Sequence, residues 1–415
     1  MPTVLILGAS IAGLPIAHAL LKNNATQPKK TKVILVNPSP DFFWMIAAPR
    51  ILTKPAAFRP EQYLIPIAPG FAAYPAGEFE FVEGAATAVD FAAKKVDVAL
   101  SAPTTTSASP TAGTRTLGYD YLVLATGSTT PSSIATHTET AGGVALYPFK
   151  PPPPPSTTPN PTPASLGELI SKAQSSIRNA KRIVIGGAGP IGLETAGELA
   201  DLPHRPSVTL ISAAERVLPG SAEGASRAAE TQLAAKGVYV VTGRRVQSYS
   251  PKEGVVRLDN GETVETEVYI PTTGVLPNNS YLPQEVLDEK GWVVVGEELR
   301  VKGVEGVWAA GDITSHPARL AQRAGEQAGI VANNLVVEIN GAGRRKRFAP
   351  GRAMMVVPIG AAGGTGELWF GWVPFAWLVR LVKGEGFFSL PRLKALSFLD
   401  CRVQIIRGGY GGLPP

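Results

Sequence analysis

The chain has 415 residues but a single cysteine, Cys401. One thiol cannot close an intramolecular disulfide, so a disulfide-stapled fold is excluded, as is redox chemistry between two cysteines of the chain. Histidine is nearly as scarce, at four residues. Four His and one Cys make a poor supply for a structural zinc site, and no metal is expected. Charge of one sign is thin as well. Lys plus Arg number 39 and Asp plus Glu 33, a net charge of +6. Nucleic-acid binders gather basic residues into a patch or stripe. The only dense run here is RRKR at Arg344–Arg347, which reads as a solvated linker, so no nucleic-acid partner is expected. Long apolar runs are missing too. Leu368–Val379 falls far short of the roughly 20 residues of a spanning helix, and Gly371 and Pro374 interrupt it. Val4–Leu21 is apolar, but it has no basic flank and carries Gly8, Ser10, Gly13 and Pro15 at turn-like positions, unlike a signal peptide. Pro2 stands where N-myristoylation requires glycine.

What is present is apolar material for a large core. Hydrophobic residues make up 44% of the chain, and at about 150 residues per domain the length predicts two to three domains. Val4–Leu7 is a short buried strand that stops at Gly8. Leu14, Ala17 and Leu21 then fall on one helical face, and KVILV, ending at Val36, is a second strand, which completes a βαβ unit. A second such unit begins at Arg182: RIVIGG, then GPIGLETAGELA, then SVTLIS. Tyr239–Thr242 and Val268–Thr272 read as its later strands. GVWAAGD is a further strand ending at Asp312, and Ala321, Ala324, Ala328, Val331, Leu335 and Ile339 keep helical spacing after it. Two biased segments interrupt the pattern. Ser101–Thr114, rich in Ser, Thr and Pro, reads as a hairpin tip; Lys150–Ser165, rich in Pro, reads as an extended linker, since Pro lacks the N–H that a helix or inner strand needs.

Four motifs carry chemistry. Gly8, Ser10 and Gly13 stand between a strand and a helix as in a dinucleotide turn. There the first glycine allows the tight bend, the second small residue lets backbone approach a pyrophosphate, and the third permits close helix–strand packing. Ser10 makes the match imperfect, and the ribose-binding acid expected at the end of the next strand is Asn37. Gly187, Gly189 and Gly192 form a complete version, with Ser212 at the acid position and Arg216 nearby, which leaves NADH against NADPH open. ATGS, with Thr126 and Gly127, follows a strand, and AAGD, with Asp312, precedes the long helix. An Asp there suits the ribityl hydroxyls of a flavin, and the helix beyond it can stabilise negative charge. The predicted fold class is α/β, with two nested Rossmann-like dinucleotide-binding domains and a small C-terminal α+β domain. The predicted boundaries are 1–149 and 277–343 for the first domain, 150–165 for the linker, 166–276 for the second domain and 344–415 for the C-terminal domain.

In the order VLILGASIAG, NPSPDFFWMIAAPR, LVLATGST, VIGGAGPIGLETAGEL, GVWAAGD, and a tail from APGRAMMVVPIG to LVRLVKGEGFF, the chain resembles the FAD-dependent pyridine nucleotide–disulfide oxidoreductase superfamily. Within it the chain resembles the apoptosis-inducing factor 2 branch, also called ferroptosis suppressor proteins. The resemblance implies FAD and NAD(P)H as cofactors and NAD(P)H:quinone oxidoreductase activity. It implies that Gly8, Ser10, Ile11, Ala12 and Gly13 hold the FAD pyrophosphate, that Arg50 lies on the flavin side, that Ala86 meets the adenine through its backbone and that Asp312 holds the ribityl chain. Gly187, Gly189 and Gly192 would hold the nicotinamide coenzyme, with Glu194 facing the nicotinamide as the catalytic candidate; Glu198, one turn on, reads as structural. It implies a cytoplasmic protein, with peripheral attachment to a mitochondrial outer membrane or lipid-droplet surface open.

With one thiol in the chain, the expectation is hydride transfer from NAD(P)H to FAD and then two-electron reduction of a bound acceptor, a quinone or another small molecule. The tail carries Trp369, Trp372 and Trp377 among Phe370, Phe375, Phe387 and Phe388, followed by Arg380, Lys383, Arg392 and Lys394. Aromatic and basic residues in this arrangement suit a membrane interface; the core of a third domain or a homodimer face is the alternative. Two other functions stay open: reduction of an iron–sulfur or other carrier protein, and a redox-sensing effector without catalysis. His18, on the first helix, reads as helix surface or core edge.

Overall fold

The computed structural model describes residues 1–26, 28–101, 113–130, 166–351 and 354–368, with 372–374, 376 and 379 beyond them. The Pro-rich segment, most of the Ser101–Thr114 tip, Cys401 and the tail's Trp369, Trp377 and phenylalanines lie outside the described residues. The tip's flanking strands, Lys95–Leu100 and Thr114–Gly118, pair antiparallel as a hairpin requires.

The first β-branched run forms the strand Thr3–Leu7, which stops at Gly8; helix α1 follows over Gly13–Asn23, and the strand Lys32–Asn37 returns parallel to the first. Thr3–Leu7 sits centrally. Tyr121–Leu124 pairs parallel on its other side and Val307–Ala309 pairs parallel beyond that. Phe79–Asp90 adds to Lys32–Asn37 through Glu83, and from Gly84 on, with a bulge between Ala86 and Ala88, its second half enters an antiparallel meander. Helices α1 and the last long helix, α6 by our numbering in chain order (Ala321–Asn340), contact each other, and their apolar stripes belong to one buried cluster. Leu282, Val286, Val293 and Val301 fill a second cluster with Leu5, Leu7, Val96 and Val98. The apolar positions that predicted α6 are the ones it buries, except Ala321, which is partly exposed.

The inserted domain repeats the plan. Arg182–Gly186 is flanked by Ser207–Ile211 and Val268–Pro271, and Tyr239–Val241 lies outside, all parallel. Helix α4 (Pro190–Ala200) contacts the first two of these strands and α5 (Glu223–Ala235) contacts the fourth, Tyr239–Val241. A meander over Val246–Glu265 packs Val246, Tyr249, Val256 and Leu258 against Val184, Ile211 and Tyr269. The chain leaves and re-enters the first domain side by side, because Ser128–Thr129 pairs antiparallel with Leu276–Pro277. The short helix α2 (Ala48–Thr53) and α3 (Leu166–Asn179) bridge the halves. Ile51, Ile170, Ala173, Ile177 and Leu193 belong to one apolar cluster spanning both domains.

Of the C-terminal residues, Met355–Ile359 and Gly363–Glu367 form an antiparallel hairpin on α4 and α5. The Gln232 carboxamide exchanges two hydrogen bonds with Gly364, and Glu367 accepts from the Ala222 N–H. RRKR is exposed, as a linker should be, but it is drawn onto carboxylates: Arg345 meets Glu298 and Glu338, and Arg347 meets Glu297. Two of its four cations are thus paired.

His18 corrects its sequence reading. It is 3% exposed, stacked flat on Phe71 at 4.1 Å, with Nδ1 2.9 Å from the Tyr74 hydroxyl. Burial, helped by Lys22, lowers its pKa from 6.5 to about 4. The folded chain therefore refuses a proton that the unfolded chain accepts. Stability is complete above 6.5 and falls as pH drops toward 4, by about 3 kcal/mol at most. A His18→Phe variant is expected to flatten the fall of Tm across that window; an unchanged slope would sink this assignment.

Candidate coenzyme sites and the junction between them

The two glycine turns are built alike. Gly8 N–H donates to Val36 O at 2.8 Å, and Gly187 N–H donates to Ile211 O at 2.8 Å. The following chain closes the other side: Ala125 N–H donates to Leu7 O and Thr272 N–H to Gly186 O. Both first glycines have left-handed backbone, φ +105° and +108°. A Cβ on Gly8 would lie 2.3 Å from Ala125 O, and one on Gly187 would lie 2.5 Å from Thr272 O. A Cβ on Gly13 would lie 1.8 Å from Gly8 O, and one on Gly192 would lie 2.0 Å from Gly187 O. The first glycine of each turn is thus required by the chain that leaves the neighbouring strand, and the third by the helix lying directly on the turn.

These turns fit an anion. Neither α1 nor α4 has a side-chain hydrogen bond capping its N-terminus or an acid in its first turn. The free N–H groups of such a terminus suit a pyrophosphate, and a nearby carboxylate would repel it. Around Gly189 a Cβ would meet no atom within 4 Å, so the second glycine opens onto free space. Ser10, its counterpart, is partly exposed, while Ile11 and Ala12 are buried behind the turn.

Asp312 follows the strand Val307–Ala309 and sits beside the first turn, since a Cβ on Gly311 would touch Ala12 Cβ at 3.3 Å. Ser128 Oγ donates to Asp312 Oδ2 at 2.9 Å, and the Gly311 N–H is held by Gln327 Oε1 at 2.7 Å. Burial pushes the Asp312 carboxyl above its ordinary range, against the pull of Ser128 and Arg319. Thr126 and Gly127 lie in the next loop, tied to the re-entering chain: Thr126 Oγ1 donates to Asn278 O at 2.9 Å, and Asn278 Nδ2 donates back to Thr126 O at 2.8 Å. The structure therefore brings Gly8, Ser10, Gly13, Thr126, Gly127 and Asp312 to one end of the first sheet. Ala86 lies farther out, at the bulge of Phe79–Asp90.

Four residues singled out from the sequence have partners of their own. Asn37 sits where a ribose acid is expected, and its Oδ1 accepts the Ala9 N–H at 3.0 Å, bracing the turn. Ser212 is 2% exposed and donates to Arg216 O. The Arg216 guanidinium is spent on Ser226 Oγ, Pro219 O and Ser221 O. Arg50, on α2, donates from Nε and Nη2 to Glu198 Oε1 at 2.8 and 2.7 Å. Glu194 lies on α4 one turn before Glu198, partly exposed.

Sequence reading passed over Thr272, whose hydroxyl donates to Gly186 O and Gly187 O, and over Asn278. The signal for the first was available. Thr272–Gly274 follows a strand as Ala125–Gly127 does, and both glycines have positive φ. No cluster of three or more His, Cys, Asp or Glu among the described residues could hold a metal ion. No helix among them is long and apolar enough to cross a membrane.

The pyridine nucleotide-disulphide oxidoreductase family model matches residues 2–328. The chain belongs to that family. Its cofactors are FAD and NAD(P)H. An oxidoreductase of Pestalotiopsis fici, ptaL, is 34% identical over 88% of this chain and 91% of its own length. Human ferroptosis suppressor protein 1 is 26% identical over 66% of this chain and 71% of its own, a distant relative in the branch the motifs suggested. Among solved structures, the sulfide:quinone oxidoreductase of Aquifex aeolicus superposes with TM-score 0.72 and 17% identity, covering 99% of this chain and 96% of that one, which shows a shared fold.

Proposed function

We propose that the protein is an NAD(P)H:quinone oxidoreductase that needs no redox disulfide. The observation that carries this reading is the pairing of two like-built, acid-free glycine turns with a chain that holds one cysteine in all. The flavin, when bound, would supply the redox chemistry, hydride acceptance from the nicotinamide and two-electron reduction of the acceptor. The chain's residues bind and orient. Gly8, Ser10 and Gly13 with the N-terminus of α1 take one pyrophosphate, and Asp312, steadied by Ser128, takes the ribityl hydroxyls. Gly187, Gly189 and Gly192 with the N-terminus of α4 take the other, and Glu194 stands at the end of that turn toward the nicotinamide. Positioning of this kind is what a protein adds to cofactor chemistry.

A quinone is favoured over a carrier protein on two grounds. The aromatic, basic tail suits a membrane interface where lipophilic quinones reside. Two cations of the RRKR run, the densest basic segment, are paired with Glu297, Glu298 and Glu338, which reduces the charge it offers a docking partner.

Ser212 carries no charge to oppose a 2′-phosphate, so both coenzymes are expected to reduce the flavin. Stopped-flow reduction by NADH and NADPH, followed by turnover with a short-chain ubiquinone and with an iron–sulfur carrier, tests the whole reading. Turnover with the carrier alone would replace the quinone as acceptor. Failure of both coenzymes to bleach the bound flavin would reject the enzyme.

A further inference from the structure

Glu198 is a carboxylate with 4% of its side chain exposed, at the contact between the two coenzyme domains. It stands on α4 and reaches α2 and its C-cap, which belong to the other domain. Oε1 receives Arg50 Nε and Nη2 at 2.8 and 2.7 Å, and Oε2 meets Lys54 Nζ at 2.7 Å. Arg50 and Lys54 are four residues apart, as are Glu194 and Glu198, so each pair shares one side of its turn. Arg50 and Lys54 thus reach, from α2 and its C-cap, the helix that also carries Glu194.

Stability does not account for this cluster. Burying a carboxylate costs several kcal/mol before its partners compensate, and replacing a buried ion cluster with well-packed apolar residues is often neutral or stabilising. The surrounding contact is already apolar, through Ile51 and Leu193 in the shared core. Apolar contact, however, is non-directional and lets one helix slide or turn on another. Charge-assisted hydrogen bonds fix direction and distance. The other close contacts of α4 tie it elsewhere: a Cβ on Gly192 would strike Gly187 O within its own domain, and one on Gly197 would strike Gly360 N of the C-terminal hairpin. A directional tie from α4 to the flavin domain runs through the two Arg50 hydrogen bonds, and Lys54 adds an ion pair at Oε2.

We propose that Glu198 is a positioning residue: by clamping Arg50 and Lys54 it sets the register of α4 on α2, and with it the place of Glu194 opposite the flavin. The role of Glu194 rests on the proposed function; the clamp itself does not.

The test compares wild type with Glu198→Gln and Glu198→Leu, each loaded with FAD. Three quantities are read: hydrogen exchange over residues 48–54 and 190–200, Tm, and the limiting rate and half-saturation of flavin reduction by NAD(P)H. Both variants should keep FAD and exchange faster in those two segments. Their limiting rate should fall about tenfold or more while half-saturation stays within about threefold, since sub-ångström misplacement acts on the reactive geometry rather than on coenzyme binding. Glu198→Leu leaves the Arg50 and Lys54 charges against an apolar side chain and should also lower Tm, and Glu198→Gln, which keeps an acceptor for Arg50, should lower it less. Unchanged exchange in both variants would overturn the clamp. Faster exchange with an unchanged limiting rate would overturn positioning, and a lowered Tm as the only effect would make the cluster purely structural. A wild-type protein that neither coenzyme reduces would overturn the functional reading instead, while the exchange comparison still decides the clamp.

Discussion

An Asp312→Ala variant is expected to purify without its flavin. Asp312 is held at the end of its strand by two separate constraints: Gly311 lies against Ala12 of the first turn, and Ser128 Oγ donates to Asp312 Oδ2. Removing the carboxylate takes away the acceptor offered to the ribityl hydroxyls and leaves the Ser128 hydroxyl without its partner. A hydrogen bond to a charged group contributes about 1.5–3 kcal/mol, and loss of a buried partner costs more. Loss of one or two such bonds weakens FAD by roughly 100-fold or more. Flavin absorbance per mole of purified chain, and titration of the apoprotein with FAD, measure it. Asp312→Asn separates charge from hydrogen bonding. It keeps an acceptor for Ser128 and should fall between wild type and alanine. Because burial raises the Asp312 carboxyl, wild-type FAD affinity should start to weaken at a higher pH than an ordinary Asp would dictate as the solution is acidified. Stoichiometric flavin in the alanine variant would reject the role.

The residues that sequence reading found are those whose identity the backbone itself dictates. A carbonyl 1.8 or 2.0 Å from an imagined Cβ admits no side chain, so Gly13 and Gly192 stand out in any chain that makes this turn. Strands buried on both faces read as unbroken aliphatic runs, which is why Val4–Leu7 and Val33–Val36 were legible. What was not legible is the distant partner that such a residue finds. Arg50 reaches Glu198 across 148 positions, and Thr126 reaches Asn278 across 152. Neither end of such a pair carries a local signature of the other. Asn37 shows the intermediate case: its place at the end of a strand was readable, but its bond to the Ala9 N–H follows from the fold of the turn. His18 was misjudged because the helix periodicity does not reveal Phe71 and Tyr74, brought over it by a loop more than fifty residues later.

The second large effect is expected at Gly192. Its α-carbon faces the Gly187 carbonyl, with the Thr272 hydroxyl also close: a Cβ would lie 2.0 Å from the one and 2.9 Å from the other. No rotamer relieves a clash made by Cβ itself, so Gly192→Leu must lift the start of α4 from the turn. The displaced N–H groups then no longer converge on a pyrophosphate, and the thread of hydrogen bonds from Thr272 to Gly186 and Gly187 loosens. The first turn, with its own glycines and its own helix, is untouched. FAD should therefore stay bound at wild-type stoichiometry while reduction by NAD(P)H slows by about 100-fold, the scale on which misplacement of bound reactants acts. Chemical reduction by dithionite, which needs no coenzyme site, should proceed as before and so report an intact flavin domain. Gly192→Ala grades the effect: the same clash arises from Cβ, and only the further bulk is missing, so it should share most of the loss. If Gly192→Leu were reduced by NAD(P)H at the wild-type rate, the second turn could not be the nicotinamide coenzyme's seat. Loss of FAD together with coenzyme reduction would instead mean that the two domains do not fold independently enough for their turns to act apart.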